Sequence, residues 1–468
     1  MNPSFHIIDF VIVGIYAILL VGVGLWVSRT KKGHTKTAED YFLASKALPW
    51  WAIGSSLIAA NISAEQFIGM SGSGFAGGLA IASYEFMAAL TLIIVGKFFL
   101  PIFIKQGIYT IPEFVEKRFS TNLKTILAVF WIALFVFVNL TSVLFLGGKA
   151  IDTIVGVGDG SMIVPAIIAL AIFAAAYSLY GGLSAVAWTD VIQVALLVIG
   201  GIITTLIALH YVTPDGGILN GISHIADAAS DKFDMVLSRD NKEFNNLPGI
   251  YVLIGGLWVA NLYYWGFNQY IIQRTLAAKS LTEAQRGIAF AAFLKMLIPF
   301  IVVIPGIVAW VMYSEDLYGA RSAFEIAGST ALNNDNAYPW LISTFIPVGV
   351  KGLVLAALAA AIVSSLASML NSTSTIFTMD IYKPYINREA SQTKLVNVGR
   401  LTAGIALIIA VCLAPLLGGI DQMFQYIQEY TGLVSPGILA VFLMGLFWKK
   451  ATNKGAITGV YFVPFQSL

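Results

Sequence analysis

Between Trp258 and Asn268 the chain carries two amides and two large aromatics at helical spacing: Asn261, Tyr264, Trp265 and Asn268 stand at i, i+3, i+4 and i+7. An unbroken helix would set all four on one stripe. Amides pair with hydroxyl groups and an aromatic ring covers an apolar ring face, so the stripe suits a hydroxyl-rich ligand. An aromatic stripe also serves plain helix packing. Glu85 and Lys295 lie in strongly apolar surroundings, where an ionised group costs at least about 2.5–3.5 kcal/mol at the centre of a membrane span. Such groups mark a functional cavity or a structural ion pair. Ala361, Ser364 and Ser365 share a third face at i, i+3 and i+4. Small residues of that kind most often serve tight helix packing, although their oxygens are also ligands that a hard cation accepts.

Other chemistries lack their residues. Cys412 is the single cysteine, and His6, His34, His210 and His224 are scattered, so neither a disulfide framework nor a metal-ligand cluster is available. No histidine stands near Cys412 to activate it, and no glycine-lysine loop is present to cradle a phosphate. Hydrolytic enzymes and ATP-driven pumps are not expected.

The elements that must position these residues are membrane helices. With 58% apolar and 11% charged residues among 468, the chain has too little polar surface to coat a water-soluble globule of its size. Apolar windows long enough to cross a hydrocarbon core run from Ile8 to Ser28 and over 50–71, 78–102, 125–148, 161–180, 187–211, 249–272, 287–312, 345–378, 401–419 and 422–447. A further segment from Ala456 is too short to span, so the natural protein is expected to be longer. Arg29, Lys31 and Lys32 follow the first apolar run instead of preceding it, so it reads as a retained helix and not a signal peptide. In an alternating topology nineteen of the 27 Lys and Arg fall on one side, which places the amino terminus outside the cytoplasm, in the periplasmic or extracellular space. The net charge of +2 says little about partners. The lipid bilayer of the cell membrane is the expected one, nucleic acid is not, and homo-oligomerisation stays open.

After the first span, five spans precede the polar 212–247 loop and five follow it. Five is odd, so two successive five-helix units, 48–211 and 248–448, must cross in opposite senses, with 1–30 as an additional helix and 449–468 as the start of another. Transporters built this way bind solute where helices are interrupted. Ala59 to Gln66 is a strongly polar run inside an apolar span, followed by the glycine-rich Ser71 to Gly78, and it reads as an unwound, cavity-lining segment.

AANISAEQFIGMSGSG from Ala59, YGGLSAVAWTDVIQV from Tyr180, WVANLYYWGFNQYIIQRTLAAKS from Trp258, AAAIVSSLASMLNS from Ala359 and YIQEYTGLVSPG from Tyr426 together resemble the sugar branch of the sodium/solute symporter family, from the first span to the last residues. The resemblance implies an all-α polytopic membrane protein with an inverted five-plus-five helix repeat (LeuT-like), working by alternating access. It also implies sodium-coupled import of a monosaccharide of the galactose or glucose type, the alternatives being a sodium symporter for another solute (an amino acid, carboxylate or vitamin) and a sugar-gated sensor or channel on the same fold. By the same resemblance, Gln66, Glu85, Asn261, Lys295 and Gln428 surround the sugar hydroxyls and Tyr264 stacks on the ring as an inner gate. Met70 and Phe424 close the outer side, and Asn61 and Asn139 are nearby supports. Carbonyls of Ala59 and Ile62 would join Ala361, Ser364 and Ser365 around sodium, with Asp190 in a second-tier role in sodium release. One position departs from the pattern: Ala88 stands where a galactose-carrying member has a serine.

Overall fold

The computed structural model describes residues 5–29, 35–156, 158–247, 249–326, 332–418 and 423–466. Its named elements are all helical, and nine stretches among the described residues are long and apolar enough to cross a membrane. The other two expected spans differ for separate reasons. The one expected at 50–71 is broken after the Trp50–Asn61 helix, and the one at 422–447 runs through the Met423–Phe447 helix, whose start adjoins residues outside those described.

The Val350–Ile386 stretch is the axis of the molecule: 94% of its most apolar window is buried, against 17% for the Ile7–Val27 helix, which leaves most of its side chains to lipid. Ile7–Val27 is nonetheless anchored. Asp9 is fully buried, and its carboxylate accepts from the backbone N–H groups of Gly349 and Gly352, both at 2.7 Å. Those are the free donors at the start of the Val350–Ile376 helix, where a carboxylate is favoured. The Leu281–Ser314 helix crosses Trp50–Asn61 through a glycine pair. A Cβ on Gly54 would lie 2.7 Å from the Gly287 carbonyl, and one on Gly287 would lie 2.8 Å from Ile53, so only hydrogen lets these backbones approach so closely.

Two of the helices are interrupted. Trp50–Asn61 ends at Ile62, whose backbone turns extended (φ −81°, ψ 102°), and the chain resumes as a π-helical turn over Glu65–Met70 and the Ser71–Gly77 helix. The unwound part is therefore narrower than the polar run: Ala59 to Asn61 are still helical and Gln66 is helical again. Leu257–Phe267 ends at Asn268 (φ −77°, ψ 125°), and Gln269–Leu276 follows. The expected unbroken stripe is thus corrected, because Asn268 is the hinge and not a member of the helix. Arg274 lies just beyond the expected 249–272 span, yet the second half-helix holds it at 0% exposure. Lys97, by contrast, is exposed near a span end, with its ammonium 5.4 Å from the Phe98 ring.

Candidate functional site

The first break and the Leu257–Phe267 helix face each other across a narrow cavity of about 70 Å³. Asn61, Gln66, Met70, Glu85, Ala88, Asn139, Asn261, Tyr264, Trp265, Lys295 and Gln428 all line it. The Phe424 side chain lies outside the described residues, although its backbone belongs to the Met423–Phe447 helix.

Each side chain is positioned by something local. Helix termination leaves Ser63 N–H without a helical acceptor, and the Gln66 side chain takes it at 3.0 Å, which pins the break. Asn61 donates to the Tyr264 hydroxyl at 2.9 Å, and that hydroxyl also bonds to the Tyr270 hydroxyl. The two interrupted helices are thereby joined at their breaks. Lys295 and Glu85 form an ion pair at 2.5 Å, and the Lys295 ammonium lies 5.2 Å from the centre of the Trp265 ring. Asn261 is tied to its own helix, donating to Leu257 O at 3.0 Å. Three acceptors stay open: Asn61 Oδ1, Asn139 Oδ1 and Asn268 Oδ1 are buried with no hydrogen-bond partner in the protein. Each lines the cavity, and a buried unpaired amide oxygen is completed by a donor from water or from a ligand that displaces it.

The residues expected at sodium lie one layer behind. Ala59, Ile62, Ala361, Ser364 and Ser365 are all fully buried. Because the helix stops at Asn61 and Ser63 N–H turns to Gln66, carbonyls of the last turn lose their helical donors. Ser365 Oγ donates to Ala60 O at 2.9 Å and reaches Ala59 O at 3.5 Å, so a hydroxyl and free carbonyls converge there. Ser364 points elsewhere and donates to Asp190 Oδ1 at 2.5 Å. Asp190 is fully buried, accepts also from Ser56 Oγ, and lies 3.6 Å from Arg274 Nη2. Arg274 donates further to Ser56 O at 3.0 Å, to Tyr270 O and to Ser368 Oγ. One ion pair therefore welds four helices immediately beside the carbonyl cluster.

Two residues of this region escaped sequence reasoning. Glu65 lines the cavity as a second carboxylate, and its signal was its place inside the polar run. Arg274 could have been sought as the cation that an intramembrane Asp190 requires.

Known proteins resemble this chain in sequence and in fold. The profile of the sodium:solute symporter family matches residues 41–462. The chain is 66% identical over 462 residues to a sodium/glucose cotransporter of Vibrio parahaemolyticus, covering 98% of this chain and 84% of that relative. It is 33% identical over 480 residues to the human sodium/myo-inositol cotransporter, covering 96% of this chain and 65% of the relative, so it spans about two thirds of such mammalian chains. Among solved structures, a substrate-bound, outward-open Na+-coupled sialic acid symporter superposes with a TM-score of 0.82 at 26% identity, covering 97% of this chain and 90% of the other. The architecture is the inverted five-plus-five helix fold, preceded by the Ile7–Val27 helix. By a match over nine-tenths of its length, the chain belongs to the sodium:solute symporter family.

Proposed function

We propose that this protein is a membrane symporter that couples the entry of a neutral monosaccharide to the inward movement of sodium, by alternating access around the cavity between its two interrupted helices. Transport, not catalysis, is its activity. The observation that carries the reading is the trio of unpartnered amide oxygens, Asn61, Asn139 and Asn268, which share one cavity with Tyr264 and Gln428. Sugar hydroxyls supply the missing donors, and the Tyr264 ring supplies a flat surface for the apolar face. At about 70 Å³ the cavity is narrow, well below the roughly 300 Å³ at the lower end of ligand pockets. Sugar entry therefore parts side chains that here close on one another. The relatives' names support a polyol cargo, the sodium/glucose and sodium/myo-inositol cotransporters being close in sequence. Charge favours a neutral sugar over an acidic one, since Glu65 and Glu85 face the single ammonium of Lys295. Ala88 presents a methyl group to the cavity and offers the sugar no hydroxyl there.

In this reading Ser365 and the carbonyls of Ala59, Ile62 and Ala361 hold sodium with Ser364, and Asp190 receives the Ser364 hydroxyl when sodium leaves. The two halves 48–211 and 248–448 are the inverted repeats, each opening on an interrupted helix, and the amino terminus is periplasmic or extracellular. The test is reconstitution in liposomes with a panel of labelled hexoses, amino acids and hexuronates, with and without an inward sodium gradient. Accumulation of a hexose above equilibrium only with the gradient is expected. Equal entry with and without it would reduce the protein to a channel or sensor, and accumulation of an amino acid alone would reassign the cargo.

A further inference from the structure

A second cavity, of about 1000 Å³, lies apart from the first, at the ends of the helices on the side of the 212–247 segment. Its walls are aromatic. Tyr211, the last residue of the Leu183–Tyr211 helix, stacks on Phe345 with ring centres 5.3 Å apart. Tyr318 meets Phe345 edge-on at 4.9 Å, and Trp340 meets the same ring at 5.5 Å. Tyr211 and Tyr318 are 41% and 53% exposed, so each keeps ring surface open beyond its contact with Phe345. Between the rings stand amides, Asn333 and Asn336, with serine and threonine hydroxyls, and no Asp, Glu, Lys, Arg or His lines the cavity among the described residues. An uncharged ligand with apolar faces and many hydroxyls fits that lining, and a charged one gains no ion pair from it.

The loop that presents Tyr318 is held in an uncommon conformation. Asp316 and Tyr318 both have left-handed backbones, at φ 56° and 55°, a state that costs non-glycine residues about 1–3 kcal/mol and that clusters at ligand sites. Asp316 is a residue that turns commonly use there, but Tyr318 is not the glycine, asparagine or aspartate that a passive turn would use. The ring that this backbone orients is the most exposed of the four, which ties the strain to the cavity.

We propose that this cavity is an outer sugar-docking site, which captures a neutral mono- or disaccharide weakly before it passes to the inner cavity. The inference rests on the reading of the protein as a sugar transporter. It is tested by equilibrium binding of labelled D-glucose and D-galactose to detergent-solubilised protein whose inner cavity is disabled by Glu85→Leu together with Lys295→Met. One weak, saturable, sodium-independent phase is expected to remain. It should disappear on adding Tyr318→Ala, and equally on adding Ser322→Trp, which fills the cavity from its rim. A single melting transition for each protein shows that it is folded. Absence of any saturable phase in the disabled protein, or a phase that survives both additional substitutions, overturns the proposal. Sodium-driven uptake by the parent, measured alongside, reads the transport function separately, so failure of one is not mistaken for failure of the other.

Discussion

Lys295 and Glu85 stand 2.5 Å apart, at 1% and 3% side-chain exposure, on the wall of the inner cavity. A pair so buried is strongly destabilising when one member is lost, by about 3–5 kcal/mol, yet is often replaceable as a pair by apolar residues at little cost. This distinction separates scaffold from function. Glu85→Leu alone should lower the melting temperature sharply, while Glu85→Leu with Lys295→Met should melt near the parent and lose sodium-dependent sugar binding. A double variant that retained that binding would make the pair purely structural.

Tyr264 joins the two breaks, its hydroxyl held by Asn61 at 2.9 Å and by Tyr270. Tyr264→Phe keeps the ring and loses the two hydrogen bonds that join the breaks, each worth about 0.5–1.5 kcal/mol, so sugar affinity should weaken by about tenfold or less. Tyr264→Ala also removes the stacking surface and should weaken binding further. Equal losses in the two variants would contradict the stacking role.

The odd number of spans inverts the two halves, and the Lys and Arg count sets which side of the membrane each loop faces. Cys412 is exposed, so a Cys412→Ser background is needed before single cysteines are placed at the amino terminus, in 212–247 and in 383–400. An impermeant thiol reagent should reach the first two from outside and the third only from the cytoplasm. Labelling of 212–247 from the cytoplasmic side alone would remove the inverted-repeat account.

Lys36, outside the spans, donates to the carbonyls of Tyr180 at 3.2 Å and Gly181 at 3.1 Å. Burial, and then the nearby Arg400 guanidinium, lowers its ammonium from 10.5 to about 8. A cation with a depressed folded value binds fewer protons in the folded chain than in the unfolded one between those values. The stability it contributes therefore rises with pH from about 8 to about 10.5 and is level below that window. Thermal melting of the parent and Lys36→Met at pH 7, 9 and 10 checks this: the parent should gain relative to the variant as pH rises. A constant difference would show that the group does not titrate there.

The apolar spans are legible from composition, and the aromatic and amide stripe and the buried charges from spacing, whereas Gln66, Met70, Asn139 and Gln428 are reached only through the family resemblance. Asn61, Tyr264 and Lys295 are conspicuous as amide, aromatic and charge in apolar runs. The break at Asn268 was not legible. Neither proline nor glycine stands at the hinge itself, and its extended backbone is settled by tertiary packing that periodicity does not record. Arg274 stands just past the apolar window that ends at 272, so hydropathy does not mark it, whereas the half-helix carries it inward to Asp190. Ser364 illustrates a finer limit. Its position on the shared face was readable, but the direction of its hydroxyl, toward Asp190 and not toward the Ala59 and Ala60 carbonyls, depends on a rotamer and a partner on another helix.

Coupling is the central claim, and it runs through the contact between Ser365 Oγ and Ala60 O at 2.9 Å, where the most buried helix meets the first break. Sodium bound by that hydroxyl and the neighbouring carbonyls would hold the break in the shape that the sugar cavity requires, so sugar and sodium must strengthen each other by the same factor. The most direct test is sugar affinity measured across a series of sodium concentrations in the parent and in Ser365→Ala. The parent should bind sugar more tightly as sodium rises, and the variant should need about fivefold or more sodium for the same gain, a loss of about 1 kcal/mol in sodium binding. A parent whose sugar affinity ignores sodium, or a variant with an unchanged sodium dependence, would contradict the account.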